Sequence, residues 1–120
     1  MTKITFEDFQ KLDIRIGTVI EAEVPEWSHW VMKLNVDFGK EIGKKTAFAG
    51  IMKFFKPEDL IGKQFPFIIN LEPKKIGPKE NGKQNISECM MIMAVPKDDE
   101  ETPPVMFSLE RKVPNGIRVH

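Results

Sequence analysis

Apolar and polar residues alternate along two stretches of this chain, and that alternation limits its fold more than any other feature. In the first, Ile14, Ile16, Thr18, Ile20 and Ala22 share one face, opposite Arg15, Gly17, Val19, Glu21 and Glu23. In the second, Trp30, Met32, Leu34, Val36 and Phe38 oppose Val31, Lys33, Asn35 and Asp37. An extended backbone sends successive side chains to opposite faces, so both runs predict half-buried strands. Gly17 inside the first predicts a bulge or the close approach of another backbone. Pro and Gly cut the remainder into short pieces, with strands predicted over 46–49, 64–70, 87–95, 105–109 and 117–119. Residues 73–85, with two Pro/Gly interruptions and four lysines, read as a flexible loop.

Helical signals are few. Thr5 is an N-cap followed by Glu7 and Asp8, which predicts a short helix over 6–11. Pro57, Glu58 and Asp59 start a second short helix, which stops at Gly62. No helical pattern of about 10–15 residues alternates with the strands, so a parallel α/β sheet is excluded. The expected fold is all-β, a five-stranded Greek-key barrel of the OB type. It carries a short N-terminal helix, a helix between strands 3 and 4, and a C-terminal β extension. At 120 residues the chain is one domain, 1–120.

Chemistry is scarce. The one cysteine, Cys89, lies in the apolar run Cys-Met-Met-Ile-Met and reads as a small buried hydrophobe. His29 and His120 have no zinc-type spacing to it, so neither a metal nor a disulfide is expected. Asp98-Asp-Glu-Glu101 forms a solvated acidic loop with nothing apolar to raise a carboxyl pKa. Ser28, Ser87 and Ser108 lack a nucleophile elbow, and no glycine-rich phosphate loop is present. No catalytic residue and no cofactor is expected. The start of the chain lacks the apolar core of a secretory signal, and no apolar run is long enough to span a membrane. Those two observations predict a cytoplasmic protein with no membrane partner.

Charge is more informative by position than in sum. The net charge is zero, yet residues 38–85 hold ten lysines against five acids between two acidic ends. Such a block is either a solvated surface or a local electrostatic footprint for phosphates. Lys74, Lys75, Lys79 and Lys83 fall between strands 4 and 5, a connection that flanks the binding face of an OB barrel.

Five segments together carry a resemblance. They are Asp13-Ile-Arg-Ile-Gly17, Val36-Asp-Phe-Gly39, Pro57-Glu-Asp-Leu-Ile-Gly-Lys63, Asn70-Leu-Glu-Pro73, and Ser87 with Met90. In this order and spacing the chain resembles the stand-alone tRNA-binding domain family, which includes the C-terminal tRNA-binding region of methionyl-tRNA synthetase. The resemblance implies an OB-fold, a homodimer, and recognition of tRNA by shape, as a free module or as an auxiliary subunit of an aminoacyl-tRNA synthetase. Secretion chaperones that share the fold bind unfolded polypeptide, which is the alternative reading. The implied tRNA contacts are Asn70 at a strand end, Lys74 and Lys75 on the loop that leaves it, and Ser87 and Met90 on the next strand. Lys33 and Lys53 are added from the expected binding face. Arg15 matches the opening motif, and it could equally serve a structural ion pair. Cys89 stands where the family usually has Gly, and Trp27 and Trp30 replace small residues. Trp30 continues an alternating face and is expected in the core. Trp27 is the expected surface residue, and either one could stack on a base or line a subunit seam.

Overall fold

A computed structural model describes residues Met1–His120. The longest strand, β1 (Ile14–Glu23), organises the sheet. Its second half pairs antiparallel with β2 (Met32–Asp37), and its first half pairs with β4 (Gln64–Ile68). β3 (Lys44–Ala49) pairs with β2, and β7 (Met90–Met91) pairs with β4, giving the order β3-β2-β1-β4-β7. A parallel bridge between Ala47 and Cys89 joins the two ends of that order and closes the barrel. This is the expected five-stranded OB barrel.

β2 follows its sequence pattern. Met32, Leu34, Val36 and Phe38 are each no more than 1% exposed. Burying side chains of this size contributes roughly 1.5–3 kcal/mol each. Phe38 meets Phe67 edge to face at 5.4 Å. In β1 burial is not confined to one of the two faces, since Ile16, Gly17 and Val19 are all buried. Gly17 and Val19 point inward, and a register shift between Val19 and Glu21 then turns Ala22 toward the core. The cause is steric. A Cβ on Gly17 would lie 2.5 Å from Val36 Cγ1 and 2.7 Å from Phe38 Cε1, so only glycine lets Phe38 cross the strand.

Both short helical segments form. In α1 (Phe6–Gln10) the Asp8 N–H donates to Thr5 Oγ1 at 3.0 Å. The second is a single 3₁₀ turn, Pro57–Asp59, in which Asp59 accepts from the Lys56 N–H at 2.8 Å. Leu60 follows it and is fully buried.

Residues 73–85 are not a flexible loop. From Lys74 onward they lie within a β-hairpin of β5 (Lys74–Glu80) and β6 (Lys83–Ser87). Asn81 (φ 52°) and Gly82 (φ 76°) turn it, and two successive left-handed residues match the right-handed twist of the flanking strands. The predicted strand over 87–95 is broken into the end of β6, β7 and β8 (Met93–Ala94). β8 pairs with β9 (Val105–Met106) outside the barrel. The last strand, β10 (Arg118–Val119), returns to pair with Ile14 and Arg15. Asn115 fastens this return, because its Oδ1 accepts from Thr18 Oγ1 at 2.7 Å and from Gln64 Nε2 at 3.0 Å.

Candidate nucleic-acid interface

The β5–β6 hairpin folds over the outer face of β3 and is held there by one aromatic. Trp27 lies under Gly77, where a Cβ would sit 2.5 Å from the indole ring, and packs on Phe48 at 6.3 Å. The hydroxyl of Ser87 accepts from the Phe48 N–H at 3.2 Å and donates to the Cys89 carbonyl at 3.3 Å. Glu88 adds a third tie, accepting from the Thr46 N–H at 3.1 Å. The hairpin is therefore a built arm, and it carries Lys74, Lys75, Lys79 and Lys83 against the single acid Glu80.

Between the arm and the barrel lies a groove of about 350 Å³. Trp30, Phe48, Leu71, Ile76 and Met90 form its apolar surface, and Lys74, Glu72 and Glu88 are its charged lining. Trp30 is 43% exposed and Met90 is 47% exposed. The indole of Trp30 rests on Gly50, where a Cβ would fall 2.5 Å from Nε1. Lys53 Nζ lies 5.5 Å from the centre of the same ring, within cation–π range. The expected roles of the two tryptophans are thus exchanged. β2 begins only at Met32, so Trp30 lies before the alternating strand, and Ser28 Oγ caps that bend by accepting from the N–H groups of Trp30 and Val31.

The expected contact residues separate into three groups. Lys74 and Met90 line the groove, and Lys53 stands beside its Trp30. Asn70 and Ser87 are committed to the fold. The Asn70 amide accepts from the Asp13 N–H at 2.9 Å and donates to the Lys11 carbonyl at 2.6 Å, so it ties β4 to the entry of β1. Ser87 lines the groove, but its hydroxyl is the one that holds β3. Lys33 and Lys75 lie elsewhere. Lys33 sits on β2 beside clefts lined by Glu21, Glu23, Glu26 and Glu80. Lys75 is exposed on β5, beside Lys74 in sequence and so on the other face of the arm. None of these four lysines makes an ion pair with a protein carboxylate. Arg15 does, donating from Nε to Asp13 Oδ1 at 2.6 Å, and it also reaches the Gly116 carbonyl at 3.1 Å.

Sequence reasoning missed Phe48, Leu71 and Ile76 as groove walls and Gly50 as the seat of Trp30. Asn81-Gly82 was the available signal for the arm that completes the groove. Cys89 is buried as expected, and burial with the nearby Glu88 charge pushes its thiol up to about 12.

A family profile described as "Putative tRNA binding domain" matches residues 14–118. The methionine–tRNA ligase of Methanococcoides burtonii is 48% identical over 118 residues, covering 98% of this chain and 16% of the ligase. The chain thus matches only 12% to 16% of the length of its curated relatives. The solved structure of a MetRS related protein from Pyrococcus horikoshii superposes with a TM-score of 0.80 at 32% identity, covering 100% of both chains. That of the chaperone CsaA from Bacillus anthracis has a TM-score of 0.79 at 36% identity, covering 99% of this chain and 100% of the other. Barrel, arm and matched segment coincide over nearly all of the sequence, and the chain belongs to the tRNA-binding domain family.

Proposed function

We propose that this domain binds tRNA, gripping its phosphate backbone with the lysines of the β5–β6 arm and of the groove rim. One observation carries the reading. An exposed tryptophan is seated on glycine in a mainly apolar groove, with Lys53 and Lys74 beside it and neither lysine ion-paired, although Glu72 and Glu88 also line the groove. Lysines displace counterions from phosphates, and an aromatic face accepts an unstacked base of any sequence. A rigid barrel with few charges selects folded RNA by shape.

A binding role also fits the state of the candidate nucleophiles. Cys89 is buried and held protonated, and the hydroxyls of Ser28 and Ser87 are engaged by the backbone. We infer a non-catalytic, cytoplasmic module that works alone or beside an aminoacyl-tRNA synthetase, consistent with its similarity to a segment of methionine–tRNA ligases. A homodimer would present two such surfaces and raise avidity for an RNA able to reach both.

The apolar lining of the groove and the likeness to a chaperone structure favour one second reading, capture of unfolded polypeptide. Titration of labelled tRNA between about 50 and 200 mM KCl separates the two. Each phosphate contact contributes about 0.7–0.9 to the slope of log affinity against log salt. The triple variant Lys53→Gln/Lys74→Gln/Lys75→Gln should flatten that slope by about two. Affinity that ignores salt, or retention of a carboxymethylated unfolded polypeptide in preference to tRNA, refutes the RNA reading.

A further inference from the structure

A second cleft, of about 310 Å³, opens where β4 begins and shares no lining residue with the Trp30 groove. Thr18, Lys63, Gln64, Ser108, Arg111 and Lys112 surround it, and no carboxylate lines it. Its three cations are exposed, and none pairs with an acid. Glu110, the acid in the same segment, is not part of the lining.

The floor of this cleft is fixed and fully used. Thr18 donates to Asn115, while Gln64 donates to the Val113 carbonyl at 2.6 Å and accepts from the Val113 N–H at 3.0 Å. These bonds hold the C-terminal segment against the barrel and offer nothing to the cations. The segment also leaves its own donors free, because no backbone carbonyl accepts from the N–H groups of Ser108–Lys112. Like charges gathered around one cleft repel one another unless an anion joins them. Arg111 adds the planar fork that matches a phosphate.

We propose that this cleft is a second phosphate site, which takes backbone phosphodiesters of the same folded RNA bound at the Trp30 groove. The inference rests on the RNA-binding reading above. The two sites lie toward opposite ends of β4. Ile68 pairs with Met90 of the groove, and Gln64 of the cleft is four residues away, about 13 Å along the strand. A free phosphate fills one site, and only a ligand with several linked phosphates engages both.

The test compares the full chain with Lys63→Gln/Arg111→Gln/Lys112→Gln and with a charge-matched control, Lys3→Gln/Lys11→Gln/Lys97→Gln, which touches neither cleft. Labelled tRNA is titrated at several KCl concentrations, and thermal melts check that each variant folds. The cleft variant should lose about tenfold or more in affinity near 100 mM KCl and about two in salt slope, well beyond the control. Equal losses in the two triple variants overturn the second site. An unchanged tRNA slope, with inorganic phosphate shifting the amide resonances of Ser108–Lys112, also overturns it, because the cleft is then a site for free phosphate. A parent chain that binds no tRNA at any salt concentration refutes the RNA reading itself, a result distinct from either of those.

Discussion

Trp30→Ala should weaken tRNA binding strongly and stability only slightly. The ring is 43% exposed and belongs to no buried cluster, so its removal leaves the barrel interior intact. What the fold loses is its packing on Gly50 and the contact with Lys53, the latter about 0.5–1 kcal/mol at an exposed site. Loss of a stacking platform costs about 1–3 kcal/mol per base. At about 1.4 kcal/mol per decade, that is a loss of about 5- to 150-fold in affinity. Fluorescence anisotropy with labelled tRNA at fixed salt reads the affinity, and urea unfolding reads the stability. Trp30→Phe should recover most of the binding, because it keeps an aromatic face. Gly50→Ala reaches the same platform without deleting it. The new Cβ would stand 2.5 Å from Trp30 Nε1 and 3.0 Å from Cε2, so the ring must leave its seat. Trp30→Ala binding within twofold of the parent would refute the stacking role and leave the lysines alone to carry the interaction.

Two further outcomes concern the fold. Gly17→Ala should destabilise by about 1–3 kcal/mol in urea unfolding, because its Cβ would press on Val36 and Phe38 in a filled interior; an unchanged midpoint would mean that β1 shifts freely. Cys89 should make stability fall in alkali. Its thiol is raised from 9.0 to about 12, so the stabilisation is complete below about pH 9 and is lost as pH rises toward 12. At about 1.4 kcal/mol per pH unit the loss by pH 10.5 is about 2 kcal/mol, and a Cys89→Ala chain should lack this part of the decline.

The barrel was legible because its strands are buried on one face. β2 shows this most clearly, since Met32, Leu34, Val36 and Phe38 alternate in sequence because the barrel has an inside and an outside. Thr5 and Pro57 marked their short helical segments because capping chemistry is local. The β5–β6 arm was hidden for the opposite reason. Six of the seven residues of β5 are exposed, so no apolar alternation could betray it, and only Asn81-Gly82 carried its turn. The exchange of Trp27 and Trp30 has a related cause. The alternation in the sequence runs two residues beyond the strand, into a bend that Ser28 caps.

The sequence by itself determined a small all-β domain, its strand pattern, its basic middle and its family likeness, because each rests on neighbours along the chain. It could not say which polar groups were free. Asn70 and Ser87 carry the same chemistry as ligand contacts, and only folding shows their hydrogen bonds already committed to Lys11, Asp13, Phe48 and Cys89. Nor could it gather Lys63 with Arg111 and Lys112, some fifty residues apart, around one cleft. That juxtaposition follows from barrel closure and the return of the C-terminal strand to β1, long-range pairings that leave no local trace in the order of residues.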